Sequence, residues 1–183
     1  MNEKTKLSKF ISLVLRHHPE VISLKIDEYG WCDVDELIAN LNKHGKSITH
    51  EILQDIVDTD EKQRYSYNED HTKIRANQGH SINVDLGLKE EEPPEFLYHG
   101  TVEKFISSIM KNGLQKGQRQ FVHMSYDIET AVTVAKRRGV PVILKIHSGK
   151  MFRDGIKFYR SKNNVWLCHS VPGSYIEQME SSP

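Results

Sequence analysis

The chain has 183 residues, 37% of them hydrophobic and 27% charged, and its 25 Lys and Arg balance 25 Asp and Glu. This length allows one sizeable domain or two small ones. A net charge of zero is unlike the strongly basic charge of a protein that binds nucleic acid nonspecifically. No stretch approaches the roughly 18 apolar residues that would span a bilayer, so we expect a cytoplasmic protein, or a nuclear one in a eukaryote, with no membrane association.

The first half of the chain predicts three helices. The first has apolar residues at helical spacing, namely Leu7, Phe10, Ile11 and Val14. Thr5 can cap this helix and Pro19 closes it. The second helix begins at Asp33 and ends at His44, and the third begins at Thr49.

A β-hairpin follows these helices. Residues 64–67 and 73–75 read as strands, and the polar residues 68–71 form the turn between them. Three helices followed by a hairpin is the order of a winged helix. We therefore predict a winged-helix lobe over residues 1–88.

Residues 86–94 combine like charges with two prolines and resist both helix and sheet, so we place the lobe boundary there. The second lobe, residues 89–183, holds several short apolar segments and two helical ones. The predicted strands cover residues 96–99, 121–124, 141–146 and 164–170, and the predicted helices cover residues 102–111 and 127–138. This pattern predicts a compact α+β lobe.

The charge is unevenly divided between the two halves. Residues 1–88 carry 11 Lys and Arg against 15 Asp and Glu, a net −4, whereas residues 89–183 carry 14 against 10, a net +4. We expect a few placed arginines to bind any polyanion. Arg16, Arg64 and Arg119 each lie at the end of a predicted element, where a guanidinium can be held for phosphate. Taken singly, each arginine is more typical of a surface charge than of a binding residue.

The common nucleotide-binding and hydrolase motifs are absent, and the ten histidines have no acidic ligand at short spacing, so we expect no metal site. Cys32 and Cys168 are single and far apart, which indicates no disulfide framework. Two strand ends resemble each other, His99-Gly100-Thr101 and His123-Met124-Ser125. Each suits hydrogen bonding to a sugar or an amide, although a strand-end histidine can also be purely structural.

The chain resembles the RNA 2′-phosphotransferases of the KptA family nearly end to end. The matching segments lie at residues 7–19, 30–37, 62–65, 74–81, 97–101, 119–125, 137–139 and 165–167. The segment Ile-Arg-Ala-Asn-Gln-Gly-His-Ser at residues 74–81 is highly specific, whereas His-Gly-Thr alone is weak. Phe121 stands where the family pattern has His, and Tyr65 stands where Phe is common.

The resemblance implies a winged-helix RNA lobe followed by an ADP-ribosyltransferase-like lobe. In this family four residues, Arg, His, Arg and Arg, act on the phosphate. The matching motifs place this catalytic tetrad at Arg16, His17, Arg64 and Arg119. The residues assigned to NAD are Arg75, Gln78, His80, Ser81, His99, Gly100, Thr101, His123 and Ser125. His99 and His123 begin a His-His-apolar signature that Val165 completes.

The implied substrates are NAD and an RNA that bears an internal 2′-phosphate, such as tRNA at a splice junction. The phosphate would displace nicotinamide to give an RNA 2′-phospho-ADP-ribose intermediate, which would then release RNA with a 2′-OH and ADP-ribose 1″,2″-cyclic phosphate. No metal is implied, and we expect a monomer.

Two other functions stay open. An enzyme of the same fold could leave ADP-ribose on phosphorylated nucleic-acid ends. The chain could also be a winged-helix DNA-binding regulator with a ligand-sensing lobe, but the helix that begins at Thr49 carries Glu51, Gln54, Asp55 and Asp58 and no Lys or Arg, which is a poor face for DNA.

Overall fold

The computed structural model describes residues 3–179, and the chain divides into two compact units at the Gly87–Leu88 junction. Both units combine helices with small antiparallel sheets, so the predicted α+β class is confirmed. No helix within residues 3–179 is long and apolar enough to cross a membrane.

The first unit contains three α-helices and a short sheet within its described residues. In chain order its elements are α1 (Glu3–Arg16), a 3-10 turn (Pro19–Ile22), β1 (Cys32–Asp33), α2 (Val34–Lys43), α3 (His50–Asp58), β2 (Tyr65–Tyr67) and β3 (Lys73–Ala76). The helices bury one apolar face each, and the sheet order is β1-β3-β2.

Helix α1 starts earlier than predicted. Thr5 lies inside the helix instead of capping it, because the helix already includes Glu3. The Glu3 carboxylate pairs with the Lys6 ammonium, one turn later, at 2.7 Å. Its negative charge in the first turn also interacts favourably with the positive end of the helix dipole. Of the predicted stripe, Ile11 and Val14 are fully buried, and Leu7 and Phe10 are partly buried against the same core. Leu15, which was not predicted, is fully buried as well.

Helices α2 and α3 each begin one residue after the predicted start, and the residue predicted as the start is the N-cap. The Asp33 carboxylate accepts a hydrogen bond from the Glu36 amide at 2.8 Å, and the Thr49 hydroxyl accepts one from the Ile52 amide at 3.3 Å. Each cap satisfies an amide that has no partner within its own helix.

The hairpin is also confirmed, with Tyr65 opposite Ala76 and Tyr67 opposite Ile74. Strand β1 was not predicted, because two residues are too few to display an alternating pattern. It pairs Cys32 with Ile74 and extends the sheet beside the hairpin.

The second unit contains small sheets and short helices. Its elements are β4 (Leu97–Thr101), a 3-10 turn (Glu103–Phe105), α4 (Ile106–Asn112), β5 (Leu114–Gln115), β6 (Val122–Met124), α5 (Ile128–Ala135), β7 (Val142–Ile146), α6 (Ser148–Arg153), β8 (Tyr159–Arg160), β9 (Trp166–Cys168), β10 (Ser170–Val171), a 3-10 turn (Gly173–Tyr175) and β11 (Ile176–Gln178). The sheet orders are β11-β7-β4, β6-β9-β8 and β10-β5.

Several predicted boundaries in the second unit were wrong. The helix predicted over residues 102–111 is a 3-10 turn followed by α4, and α5 ends at Ala135 instead of residue 138. The strand predicted over residues 164–170 is two short strands, β9 and β10. Helix α6 was missed because its first turn holds Ser148 and Gly149, which have low helix propensity.

Candidate active site

Two histidines from neighbouring strands of the second unit are joined by a hydrogen bond. The backbones of Tyr98 and Ser125 exchange hydrogen bonds at 2.9 and 2.8 Å, which holds β4 beside the end of β6. The Nδ1 of His99 then lies 2.9 Å from the carbonyl oxygen of His123. Because a carbonyl only accepts, His99 carries a proton on Nδ1, and Nε2 of the neutral ring is an acceptor.

The surroundings of His99 favour that neutral form. Burial lowers the pKa of His99, and the nearby positive charges of Arg138 and Arg119 lower it further, while the hydrogen bond to His123 opposes the shift. His99 is therefore a neutral imidazole at physiological pH, with its tautomer fixed by the backbone of the neighbouring strand.

The residues that follow His99 let helix α5 approach β4 closely. A Cβ at Gly100 would overlap the carbonyl oxygen of Ala131 in α5, so this position requires glycine. Thr101 is buried at the end of the strand. The predicted His99-Gly100-Thr101 segment is thus fixed in place by strand pairing on one side and a helix on the other.

Arg119 and Arg138 bring two positive charges towards His99. Arg119 lies in the exposed loop before β6, where its amide donates to the Lys116 carbonyl at 3.2 Å. Surrounding protein atoms lower the pKa of the Arg119 guanidinium, and the charge of Arg138 lowers it further. Two arginines that repel one another beside a polar strand end suit a phosphate-bearing ligand. Arg138 lies in a matching sequence segment, but it was not assigned a role.

A second group of predicted residues meets in the first unit, where α1 ends. The Arg16 carbonyl accepts hydrogen bonds from the amides of Ser81 and Ile82 at 2.9 and 3.3 Å. The Ser81 hydroxyl also lies 3.0 Å from Nδ1 of His17. The specific segment at residues 74–81 therefore contacts Arg16, the last residue of α1, and His17, which follows it.

His80 is the most buried member of this group, with 1% of its surface exposed. Burial, assisted by the positive charges of Arg16, His17 and Arg75, lowers the pKa of His80 to about 4. Neither ring nitrogen has a hydrogen-bond partner among residues 3–179. Such orphaned polar atoms are costly, and a bound water or ligand would satisfy them.

The turn that carries His80 depends on Gly79. Gly79 has a φ of +89°, a conformation that other residues rarely adopt, and a Cβ there would lie 3.7 Å from the Arg16 guanidinium. Gln78 is half-buried in the same turn. Arg75 stacks over Trp31, with 4.4 Å between its guanidinium carbon and the ring centroid, and donates to the Tyr29 carbonyl at 3.2 Å.

Arg64 is held by a carboxylate that sequence reasoning missed. Asp60 pairs with the Arg64 guanidinium and also accepts from the Arg64 amide at 2.6 Å. The next residue, Tyr65, donates its hydroxyl to the Ser8 carbonyl at 2.7 Å, which gives this tyrosine a partner that Phe would lack. The charges of Arg16 and Arg64 both act on the Tyr65 hydroxyl, although burial prevails and raises its pKa.

The predicted site residues therefore form two groups. Arg16, His17, Arg64, Arg75, Gln78, His80 and Ser81 belong to the first unit, and His99, Gly100, Thr101, Arg119, His123 and Ser125 belong to the second. Within residues 3–179, no three or more His, Cys, Asp or Glu side chains are grouped in a way that could hold a metal ion.

Comparison with known proteins agrees with these features. A model of the "RNA 2'-phosphotransferase, Tpt1 / KptA family" matches residues 2–170. A relative from Flavobacterium johnsoniae is 59% identical over 97% of this chain and 98% of its own length, and one from Fusobacterium nucleatum is 52% identical over 97% and 99%. A third, from Rhodopirellula baltica, is 50% identical over 92% of both chains; all three carry the name "Probable RNA 2'-phosphotransferase". The chain belongs to the RNA 2′-phosphotransferase, Tpt1 / KptA family of transferases.

Proposed function

We propose that this protein transfers an internal 2′-phosphate of RNA to NAD, releasing nicotinamide, RNA with a 2′-OH and ADP-ribose 1″,2″-cyclic phosphate. The observation that carries the proposal is the 2.9 Å hydrogen bond from Nδ1 of His99 to the His123 carbonyl, which leaves Nε2 as an acceptor near the charges of Arg119 and Arg138. A fixed acceptor next to two guanidinium groups suits a ribose hydroxyl and a phosphate of one nucleotide ligand.

NAD fits the donor and acceptor groups of the second unit. Nε2 of His99 can accept a hydrogen bond from a ribose hydroxyl, because burial keeps the ring neutral. Thr101, His123 and Ser125 add polar groups at the same strand ends, and Gly100 keeps the backbone close to α5. NAD would supply the ribose that accepts the phosphate, with nicotinamide as the leaving group.

Arg16, His17, Arg64 and Arg119 are proposed to act on the RNA phosphate. Arginine forks match phosphate oxygens, and the half-buried imidazole of His17, which lies 3.0 Å from the Ser81 hydroxyl, would donate or accept a proton beside them. Asp60 would orient Arg64 while leaving further N–H donors for the phosphate. These groups would neutralise charge around phosphorus and move a proton at the departing RNA oxygen.

The segment at residues 75–81 supports both substrates in this proposal. Ser81 and His80 neighbour Arg16 and His17, and the unpartnered ring nitrogens of His80 could be satisfied by an ordered water or by a ligand group. Arg75, Gln78, His80 and Ser81 are therefore proposed to position the phosphate-binding arginines in addition to contacting NAD.

The fold details belong to the same proposal. Three helices with a β1-β3-β2 sheet support a winged-helix RNA-binding lobe, and small sheets that carry His99 and His123 support an ADP-ribosyltransferase-like lobe. The proposed RNA is one with an internal 2′-phosphate, for which tRNA at a splice junction is the candidate.

The test uses a short RNA with one internal 2′-phosphate, incubated with the protein in the presence and absence of NAD. We expect NAD-dependent loss of the phosphate, equimolar nicotinamide release and free ADP-ribose 1″,2″-cyclic phosphate. RNA that retains ADP-ribose on a phosphorylated end would indicate the end-modifying alternative. Phosphate loss that proceeds equally without NAD would refute the proposed reaction.

A further inference from the structure

Strand register places a set of aromatic side chains on the same sheet face as His123. In the β6-β9-β8 sheet, Val122 pairs with Cys168, so Phe121 lies opposite His169, and His123 and Tyr159 both pair with Leu167. Residues that pair or alternate in this way share one face. The opposite face belongs to the core of the unit and carries Val122, Met124, Trp166 and Cys168.

The three rings on the His123 face contact one another. The centroids of Phe121 and His169 are 5.0 Å apart with a 31° tilt, those of Phe121 and Tyr159 are 5.6 Å apart, and those of Tyr159 and His169 are 6.3 Å apart. We call Phe121, Tyr159 and His169 the aromatic platform.

The aromatic platform is not part of the hydrophobic core. None of its members belongs to the buried cluster of the second unit or packs against it as a partly buried neighbour. His169 is exposed, and Phe121 and Tyr159 are half-buried. A group of mutually supported rings that keeps open surface can hold another flat ring.

Chain continuity puts the platform beside a phosphate-binding residue. Arg119 precedes Phe121 by two residues, and two residues span at most about 7 Å even when fully extended. Arg119 and Phe121 can therefore contact the same nucleotide or neighbouring nucleotides of one RNA. Bases of unpaired RNA stack on aromatic side chains in many RNA-binding proteins.

We propose that the aromatic platform stacks one nucleobase of the substrate RNA, at or next to the nucleotide that carries the 2′-phosphate. This inference rests on the proposed function for its RNA substrate and adds a recognition element to it. The platform would hold the base without reading its identity, because every base presents a similar flat face. It would favour RNA that is unpaired at that nucleotide.

The first experiment uses the full-length protein and needs no variant. Fluorescence anisotropy gives the Kd of a short single-stranded RNA with one 2′-phosphate, and of matched RNAs that lack the base at the phosphorylated nucleotide, at its 5′ neighbour or at its 3′ neighbour. We expect one of the three abasic RNAs to bind about five- to a hundredfold more weakly than the intact RNA. Equal Kd values for all four RNAs would overturn the proposal.

Variants then connect that loss to the platform. Phe121→Leu keeps apolar volume but removes the ring, so it should weaken binding of intact RNA by a similar factor and cause little further loss with the sensitive abasic RNA. Phe121→His keeps a flat ring and should retain most of the affinity. Phe105→Leu, which alters a 39% exposed phenylalanine elsewhere in the second unit, is the matched control and should change nothing.

If the base stacks elsewhere, Phe121→Leu and base removal weaken RNA binding independently, and the two fold-changes in Kd multiply when they are combined. That result would contradict the inference. His169→Ala, at an exposed position, repeats the test if Phe121→Leu fails to fold. A raised KM for NAD with unchanged RNA affinity would assign the platform to NAD and would also overturn the proposal. RNA binding is measured separately from turnover. Absence of NAD-dependent phosphate loss would therefore refute the proposed function, while the Kd values would still test base stacking on the aromatic platform.

Discussion

His80 is buried and His99 is half-buried, and the pKa of each is lowered, but the two histidines differ in their hydrogen bonds. His99 has its Nδ1 proton committed to the His123 carbonyl. His80 has no partner for either ring nitrogen among the described residues. The His99 ring is therefore fixed by the protein alone, whereas the His80 ring needs water or a ligand to complete its hydrogen bonding.

Burial of His80 should make stability depend on pH. Its folded pKa of about 4 lies below the ordinary value of about 6.5, so the unfolded chain binds more protons between these values. The free energy of unfolding should fall as the pH drops from about 6.5 to about 4, by up to roughly 3 kcal/mol. Urea titrations of the wild type and His80→Gln across this range measure the slope.

His80→Gln should flatten the pH dependence, because glutamine does not titrate. The exposed His44 provides the control, and His44→Gln should leave the slope as it is in the wild type. Identical slopes for His80→Gln and the wild type would show that His80 is not the responsible group.

The tetrad arginines should be sensitive to the shape of the cation as well as to its charge. A charge-assisted hydrogen bond contributes about 1.5–3 kcal/mol, so Arg16→Ala should lower kcat/KM for phosphate removal by about ten- to over a hundredfold. Arg16→Lys should recover only part of the loss, since an ammonium cannot form two parallel bonds. Steady-state kinetics with 2′-phosphorylated RNA and NAD provide the measurement.

Arg153→Ala is the matched control, because Arg153 is exposed and pairs with Glu95 at 2.8 Å in the second unit. It should retain wild-type kinetics. Full activity of Arg16→Lys would instead indicate that Arg16 contributes only charge.

The sequence could identify many of these residues by type but could not give their contacts. The resemblance singled out the segment at residues 74–81, and the structure joins it to α1, since Ser81 lies 64 residues from its partner His17. Such long-range contacts leave no local spacing signal. Asp60 was missed for a related reason, because a lone carboxylate four residues before Arg64 has the same pattern as an ordinary surface ion pair.

At the level of elements, local chemistry decided which predictions succeeded. Helices α2 and α3 have a capping side chain and an apolar stripe, and the start of each was predicted to within one residue. Strand β1 and helix α6 were missed because their short lengths carry little periodic signal. Their formation depends on partners distant in sequence, such as Ile74 for β1 and Glu95 for α6.

The contact between β4 and α5 should be sensitive to one methyl group. A Cβ at Gly100 would overlap the Ala131 carbonyl, and backbone cannot move aside as a flexible side chain can. Gly100→Ala should lower the free energy of unfolding by about 1–3 kcal/mol or more, and should raise the KM for NAD because His99 would shift with its strand. Chemical denaturation and NAD kinetics test the two effects.

Gly45→Ala is the comparison for this variant. Gly45 has a φ of +71° and open space around its Cβ position, so its substitution tests backbone conformation without overlap. It should leave the KM for NAD unchanged. An unaltered KM in a folded Gly100→Ala protein would argue against a role of the strand end in NAD binding.

At the scale of the whole molecule, zero net charge is divided into an acidic first half and a basic second half. Composition alone therefore predicted that a polyanion binds to a few placed arginines and not to a broad basic surface. The structure places predicted cationic residues in both units, with Arg16 and Arg64 in the first and Arg119 in the second. Several other surface charges are paired, as in the Lys157–Glu90 and Arg160–Glu91 contacts at 3.1 and 2.8 Å.

RNA affinity should accordingly depend only modestly on salt. Each neutralised phosphate of single-stranded RNA contributes about −0.7 to the slope of log affinity against log salt concentration. Three arginines that share one 2′-phosphate, and contact at most two neighbouring phosphates, therefore predict a slope between about −0.7 and −2. Arg119→Ala should reduce the slope by at most about 0.7, whereas Arg153→Ala should preserve it, because Arg153 already pairs with Glu95. Anisotropy titrations at several salt concentrations give these slopes. A slope near −6 would mean that RNA contacts a broad basic surface, and the small set of placed arginines would then not explain binding.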